Sequence, residues 1–347
     1  MKHGQLRRWV FVFTLLIVSF STVSAKRNDD VVILKNGDRM TGEIKGLQYG
    51  ELKFKASYMA EAVRLDWSKV ERLESKDRYQ IYLTNGELFT ESFNLVAANA
   101  ENFQIGDGAD AFRVEQKEVL RIAPIEARFL KQLEGTVDFG FSFTSGNDQY
   151  QTQLAASTTY RRGSHSVTAS VESVFSGQTE GSSLTRNQFT LDYRKQLSPK
   201  WYVGTFVDFL RSDQQSLALR TTVAGFLGRN VYQTEQTRFS VFGGLAGTRE
   251  KYSSELDQPR ATNADAITGV DFITYRFKTT SIRSRLSVFP SLTIPGRVRM
   301  QATSDLKLEV FKDVYFGFHI YENFDSKPPL TANKNDLGVS TSLGWKF

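Results

Sequence analysis

The side chains that most often perform catalysis are few in this sequence. It has three histidines, His3, His165 and His319, and no cysteine. The absence of cysteine excludes a disulfide framework, a thiolate zinc site and a thiol nucleophile. His319 shows no ordered spacing to a serine, so a hydrogen-bonded wall residue is a better interpretation than a catalytic base. The sequence therefore predicts no enzyme, no metal and no cofactor, and a hydrolase built on His319 is the least favoured function.

In the C-terminal two-thirds of the chain, apolar side chains instead alternate with polar, small or charged ones. From Gly135 onward the alternating segments are about ten residues long and are separated by turn residues; Val137 and Phe139, for example, alternate with Asp138 and Gly140. Because successive side chains of a strand point to opposite faces, one face of each strand is apolar and the other is polar or charged. This pattern is typical of transmembrane β-barrels, although a soluble β-sandwich also shows it.

Three features favour the barrel over the sandwich. We count twelve strands, an even number, starting near Gly135, Tyr150, Ser166, Asn187, Trp201, Leu217, Thr237, Asp265, Ser281, Arg297, Val314 and Asp336. Tight turns alternate with long polar loops, at 177–185, 250–262 and 323–335. Aromatic residues gather at the tight-turn ends, as an interfacial girdle requires: Tyr160, Tyr193, Trp201, Trp345 and Phe347. The predicted fold is an antiparallel barrel of about twelve strands at 135–347.

The charged face of these strands would line the lumen. The residues predicted there are Arg194, Asp208, Arg220, Arg238, Arg283, Arg285, Arg297, Arg299, Asp305, Lys307 and His319. Pairing of the ninth and tenth strands would place Arg283 near Asp305. Rings of mixed sign suit either a narrow, weakly anion-preferring pore or a lumen plugged by ion pairs.

The N-terminal segment has the three parts of a secretory signal. Lys2, Arg7 and Arg8 precede an apolar run that ends at Phe20, and Val23 and Ala25 follow at the cleavage site. The run is too short and too quickly followed by Ser and Thr for a spanning helix, which needs about 20 apolar residues. Residues 1–25 are therefore predicted to be a signal peptide. Without its three cations the formal charge of +6 falls to about +3, too little to indicate a nucleic-acid partner.

Two similar copies of one pattern fill the next hundred residues. Asn36-Gly37 recurs as Asn85-Gly86, Val63 as Phe112, and Val70 as Val119, at a constant offset. An Asn-Gly pair predicts a two-residue hairpin turn between strands. We predict two small SH3-like or Sm-like β repeats, at 26–75 and 76–124, followed by a linker at 125–134.

The chain resembles the family of salt-induced outer-membrane proteins of unknown function, the YdiY-like family. The similar segments are 135–147, 186–194 and the closing strand Leu337-Gly-Val-Ser-Thr-Ser-Leu-Gly-Trp-Lys-Phe347. Members with an N-terminal extension carry a module similar to residues 34–44. The resemblance implies an outer-membrane location and a stress role, and it supplies no catalytic residues. The final Trp345 and Phe347 resemble the signal that the barrel-assembly machinery recognises.

Two functions remain open for such a protein. One is a narrow, stress-related pore for small solutes or ions. The other is a non-conducting adaptor whose periplasmic repeats bind a protein or a cell-wall polymer. In both cases the expected partners are outer-membrane lipids and the barrel-assembly machinery, and the expected location is the outer membrane of a Gram-negative-type bacterium.

Overall fold

The computed structural model describes residues 30–84, 87–94, 102–105, 112–125, 133–144, 149–162, 164–178, 183–198, 200–252, 260–277, 280–311, 313–328 and 332–347. The predicted signal peptide, most of the predicted linker and the second Asn-Gly pair lie outside these ranges. In the ranges described, no helix has the length and apolar character needed to cross a membrane.

Nine strands form an N-terminal module with a single sheet. They are β1 (Asp30–Leu34), β2 (Arg39–Gln48), β3 (Glu51–Ala56), β4 (Val63–Asp66), β5 (Val70–Leu83), β6 (Leu88–Asn94), β7 (Asn102–Ile105), β8 (Phe112–Glu115) and β9 (Val119–Pro124). Their order is β4-β3-β2-β1-β5-β6-β7-β8, with β9 paired to β2 and β5. Single 3-10 turns at Trp67–Lys69 and Gln116–Glu118 precede β5 and β9.

The internal repeat is visible as matched elements of this module. β4, its 3-10 turn and the start of β5 recur 49 positions later as β8, the second 3-10 turn and β9, as in Val63 and Phe112. The boundary predicted after residue 75 falls inside β5, next to a bulge between Ser75 and Arg78. The first half of β5 pairs with β1 and the second half with β9. One continuous strand therefore belongs to both copies.

The turn predicted at Asn36-Gly37 has a different geometry from the one expected. The type I′ two-residue turn that Asn-Gly favours needs a positive φ at both residues, but of the two only Gly37 has one (φ 89). The amide of Leu34 donates to the carbonyl of Asp38 at 2.9 Å and that of Gly37 to the carbonyl of Leu34 at 2.8 Å. This is a three-residue loop with a glycine bulge, so the two-residue prediction was wrong. The Asn36 side chain accepts from the amide of Asp38, which stabilises the longer loop.

A compact apolar core holds the two copies together. Phe54, Trp67, Leu73 and Ile81 are almost completely buried in it. The Trp67 indole donates to the carbonyl of Gln116 at 3.0 Å, and the Gln116 amide in turn donates to the carbonyls of Trp67 and Val70. Because Gln116 is the repeat counterpart of Trp67, the two 3-10 turns contact each other at the junction of the copies.

Twelve further strands form a closed antiparallel barrel, which confirms the predicted fold class. They are β10 (Leu133–Thr144), β11 (Gln149–Arg162), β12 (His165–Gln178), β13 (Leu184–Gln196), β14 (Trp201–Ser212), β15 (Leu217–Gln233), β16 (Thr237–Tyr252), β17 (Arg260–Phe277), β18 (Thr280–Pro290), β19 (Val298–Phe311), β20 (Val314–Asp325) and β21 (Asn335–Lys346). Each begins within five residues of its predicted start. β21 pairs with β10, and Gly135 and Phe347 exchange two backbone hydrogen bonds at the seam.

Alternation along the strands gives the barrel an apolar outside. Leu245, Leu337 and Leu343 are each more than 60% exposed and point away from the lumen. In a soluble protein such a surface would be costly, because each exposed apolar Å² loses about 25 cal/mol relative to burial. A continuous apolar belt on a closed barrel is instead suited to lipid. We call the end that carries the module and Phe347 the turn end, and the opposite end the loop end.

Candidate functional site: the barrel lumen

The structure divides the predicted lumen residues into two groups. Arg220, Arg297 and Arg299 are buried near the loop end. The others face a cavity that extends from the middle of the lumen to the turn end: Arg194, Asp208, Arg238, Arg283, Arg285, Asp305, Lys307 and His319. The expected pairing of Arg283 with Asp305 across β18 and β19 is present in the strand register.

The loop-end group belongs to a network of ion pairs that we call the plug: Arg220, Glu250, Asp265, Arg297, Arg299 and Asp325. Glu250 is fully buried and accepts from Arg220 at 2.7 Å and from Arg297 at 2.9 Å. Arg297 also donates to Asp325 at 2.5 Å, and Arg299 donates to Asp265 at 2.5 Å. All six side chains are at most 4% exposed. The plug therefore leaves no solvent-accessible space around its charges.

The acidic half of the plug was not predicted. The sequence pattern assigned Glu250 to a long polar loop at 250–262, whereas β16 continues to Tyr252 and β17 begins at Arg260. The signal that was available is the alternation itself: Ala246, Thr248 and Glu250 continue the inward series of β16. A polar residue at the end of a long barrel strand resembles a loop residue in composition. Its polar partners lie inside the lumen on other strands, so they are not visible in the local sequence.

A second network lies midway along the lumen. His319 is hydrogen-bonded through Nδ1 to Asp305 at 2.7 Å, and its Nε2 lies 3.2 Å from Glu172. Arg186 donates to the same Glu172 at 2.8 Å and lies over the Tyr321 ring. His319 is thus a hydrogen-bonded wall residue that belongs to a charged cluster. Its cross-strand neighbour on β21 is Ser340, but no hydrogen bond joins the two among the described residues.

A third network joins strands on one side of the cavity. Asp271 accepts from Arg285 at 2.6 Å and pairs with Arg194 at 2.8 Å. Arg194 also donates to Asp192 at 2.9 Å, and Arg285 reaches Asp192 at 3.4 Å. Two arginines therefore share two carboxylates, which leaves this cluster close to neutral.

Apolar side chains also occupy part of the lumen, although the alternation predicted a polar or charged inner face. Tyr202, Phe206, Phe226, Phe242 and Phe289 are buried there together with Ala224, Ala246 and Ile267. They project inward from β14 to β18, next to the plug and the Arg194 cluster. A cluster of this kind narrows the lumen in the way that small barrels fill their interiors with side chains.

The remaining space is a cavity of about 1190 Å³, which we call the chamber. The N-terminal module covers it: residues of β2, β3 and β9 line its turn end together with barrel residues. Thirteen Lys and Arg side chains and nine Asp and Glu side chains line it, an excess of four positive charges. The chamber is therefore a polar, cationic space that ends at the plug.

The module is attached to the barrel by charged and aromatic contacts. Arg64 on β4 donates to Glu309 at 2.6 Å and to Asp313 at 2.7 Å. Gln48 on β2 donates to Glu134 at the start of β10 at 3.2 Å, and the Tyr49 ring stacks on Tyr275 with centroids 3.5 Å apart. These pairs join residues far apart in sequence, so no local pattern could have indicated them.

The predicted interfacial aromatics lie on the outer face at the turn end. Trp201, Trp345 and Phe347 are 42%, 54% and 47% exposed, and Tyr160 and Tyr193 are partly buried. The Trp345 and Phe347 rings contact each other at 5.6 Å between centroids. These positions suit rings that reach the membrane–water interface. A role of Trp345 and Phe347 in assembly stays a prediction.

Within the described ranges, no group of three or more His, Cys, Asp or Glu side chains is arranged to hold a metal ion. The carboxylates of the lumen instead face arginines.

A comparison with models of protein families identifies the family of this chain. The model of a family described as "Protein of unknown function, DUF481" matches residues 137–347. The chain belongs to this family. The matched region is the barrel, and the N-terminal module lies outside it. This agrees with the YdiY-like resemblance noted from the sequence. A comparison with curated proteins found no match.

Solved structures similar to the chain include several barrels. The NanC porin is 11% identical, with a TM-score of 0.38, over 62% of this chain and 98% of that one. An outer membrane channel from Pseudomonas putida F1 is 9% identical, with a TM-score of 0.35, over 62% and 95%. The translocator domain of the autotransporter NalP from Neisseria meningitidis is 14% identical, with a TM-score of 0.33, over 62% and 87%. At this level of similarity, the function has to be argued from the lumen itself.

Proposed function

We propose that the protein is an outer-membrane β-barrel that does not conduct in its resting state, because the plug closes its lumen. Its N-terminal module would lie in the periplasm and cover the chamber. The observation that carries this proposal is the complete burial of Glu250 between Arg220 and Arg297.

The energetics of the plug favour a closed lumen. Each buried charge has opposite charges at hydrogen-bond distance, so its desolvation is offset within the network. Removing one partner from such a network usually costs about 3–5 kcal/mol, because the remaining charge is left buried and unpaired. Spontaneous opening would separate several of these pairs at once, so a steady open state is not expected at rest.

The lengths of the connections between strands support this orientation. The turn end carries short connections such as Gln233 to Thr237, whereas the loop end carries the longer ones at 179–183, 253–259 and 326–334. Bacterial barrels place short turns in the periplasm and long loops outside the cell. The module extends from the turn end, which supports a periplasmic position for it.

The test is the conductance of the full-length protein in planar bilayers. We expect no steady open level for the unmodified protein and frequent openings for Glu250→Gln, which leaves Arg220 and Arg297 without their shared carboxylate. Arg249→Gln, an exposed position on the same strand, is the matched control and is expected to stay closed. A stable open level in the unmodified protein would overturn the proposal.

A gated pore is the second candidate, and the cationic chamber favours it. The chamber already extends from the turn end to the plug, so opening the plug would connect the chamber to the loop end. Its positive excess predicts that the open state of Glu250→Gln prefers anions, measurable as the reversal potential in a salt gradient. For the proposed stress role, we expect high salt alone to leave the plug closed, since buried pairs are screened much less than exposed ones.

A further inference from the structure

Two arginines of the chamber lie in one row across three strands. Arg238 on β16 is the cross-strand partner of Ile273 on β17, and Ile273 is the partner of Arg283 on β18. Directly paired residues point to the same face, so both arginines face the chamber, and both line it. Unlike the arginines of the plug, they are exposed to the space that they line.

These two arginines also differ from the other lumen arginines in their partners. Arg186, Arg194, Arg220, Arg285, Arg297 and Arg299 each form an ion pair with a carboxylate. Within the described part of the chain, neither Arg238 nor Arg283 forms one. Asp305 lies opposite Arg283 in the register, but it is hydrogen-bonded to His319 at 2.7 Å. The row therefore presents two cations that form no ion pair of their own, although Asp271 acts on Arg238 and Asp305 acts on Arg283 from a longer distance.

Aromatic and cationic groups of the turn end lie around the same row. Tyr275 follows two positions after Ile273 on the inward face of β17, and the Tyr49 ring of the module stacks on it. Arg161 interacts electrostatically with both tyrosines and with Arg283. The tyrosine hydroxyls can donate hydrogen bonds. This part of the chamber thus offers donors from both the barrel and the module.

We propose that Arg238 and Arg283 bind the carboxylate or phosphate group of a small anionic solute in the chamber. The two arginines are separated by one intervening strand, which places their backbones about 10 Å apart, a distance that two long arginine side chains can span. An oxyanion between the two guanidinium groups would be attracted by both positive charges. The planar fork of a guanidinium matches the two oxygens of a carboxylate or phosphate. This inference goes beyond the closed barrel and does not depend on it, since the chamber reaches the turn end whether or not the plug opens.

The test is isothermal titration of the full-length protein in detergent micelles at low salt, with inorganic phosphate and with succinate as separate probes. We expect at least one of them to bind, and binding to weaken about tenfold or more in Arg238→Gln and in Arg283→Gln, since each variant loses a charge-assisted hydrogen bond. Arg249→Gln removes the same charge from the outer face of β16 and should leave the affinity unchanged. Binding of phosphate alone, of succinate alone or of both assigns the oxyanion class.

Folding and nonspecific charge effects are separated from site binding by two further measurements. Heat-modifiable migration on a gel checks that each variant is a folded barrel, and Arg238→Lys and Arg283→Lys should keep part of the affinity. Absence of binding of both probes to the unmodified protein overturns the proposal. So does equal weakening in Arg249→Gln, because the effect would then follow net charge rather than the row.

Discussion

Both ends of the barrel lumen carry arginines, but the arginines at the two ends differ in burial and in ion pairing. At the loop end, Arg297 is 3% exposed and is held by Glu250 and Asp325. At the turn end, Arg238 and Arg283 are exposed to the chamber and lack a carboxylate partner in the described ranges. The arginines of the plug therefore help to close the lumen, whereas Arg238 and Arg283 are available to a solute.

The difference comes from register rather than composition. Both ends belong to strands that alternate apolar and polar residues. In the plug, the inward acids of β16, β17 and β20 meet Arg220 of β15, Arg299 of β19 and Arg297, which directly precedes β19. In the Arg238 row, the residue between the two arginines is Ile273. A mixed-charge lumen can thus contain a closed segment and an open one within the same barrel.

The largest effect is expected from breaking the plug. Glu250→Ala should lower the free energy of unfolding by about 3–5 kcal/mol, because Arg220 and Arg297 are left buried without their shared carboxylate. Urea-dependent unfolding in lipid vesicles, followed by loss of the heat-modifiable form, measures the change. Arg283→Ala in the chamber is the comparison and should cost much less. Equal losses of unfolding free energy in Glu250→Ala and Arg283→Ala would contradict the difference between the two ends of the lumen.

Substitutions on the outer face of the barrel test whether that face contacts lipid. Leu245→Arg, near the middle of β16, should destabilise the barrel by about 2–4 kcal/mol, and Leu219→Arg, close to the loop end, by about 0–1 kcal/mol. The same urea titration in vesicles reports both values. If the two substitutions cost the same, the apolar belt does not face the interior of a bilayer.

Substitution of Arg64 tests the attachment of the N-terminal module, which covers the chamber. Arg64→Ala removes the ion pairs with Glu309 and Asp313 and should weaken the attachment of the module by about 1–2 kcal/mol. Hydrogen–deuterium exchange of the amides at 48–51 is expected to become faster, since this turn contacts the barrel beside Tyr275. Arg113→Ala, an exposed arginine of the same module, is the control. Unchanged exchange in Arg64→Ala would show that these ion pairs do not hold the module.

The smallest effect concerns a buried carboxyl of the module. Burial raises the pKa of Asp30, although it accepts hydrogen bonds from Ser75, from the Ile44 amide at 2.8 Å and from Tyr79 at 2.9 Å. A raised folded-state pKa contributes stability that is present below the ordinary carboxyl pKa, near 4, and is lost as pH rises through the folded-state value.

Asp30→Asn removes this titration while an amide can still accept two of the hydrogen bonds. Its stability change at neutral pH should stay below about 1 kcal/mol, and the module should lose the gain in stability on acidification. Urea unfolding followed by emission of the buried Trp67, at acidic and neutral pH, measures this. A variant with the same pH dependence as the unmodified protein would exclude Asp30 as its source.

Much of the barrel could be predicted from sequence because alternation is a local signal. Twelve strand starts and the inward face of the charged residues that the pattern assigned to strands follow from a period of two. The partners of those charges could not be predicted. Arg220 meets Asp325 from 105 positions away, and Glu250 was assigned to a loop because a polar strand end resembles a loop in composition.

The module shows the same limit. The repeat offset predicted matching elements in two copies, but not that β5 serves both, since a shared strand depends on pairing across the sheet. Likewise, binding of a periplasmic partner or a cell-wall polymer by the module stays a prediction, because the structure describes the module only against its own barrel.

The most direct test of a lumen closed at one end and accessible at the other uses the absence of cysteine in the chain. Ser170→Cys places a thiol on the chamber wall, and Thr222→Cys places one at a buried position opposite Thr248, which is hydrogen-bonded to Asp265 and Arg299 of the plug. Labelling of the reconstituted full-length protein with a small, charged thiol reagent should modify the first quickly and the second hardly at all. Rapid labelling of both positions would contradict the closed plug.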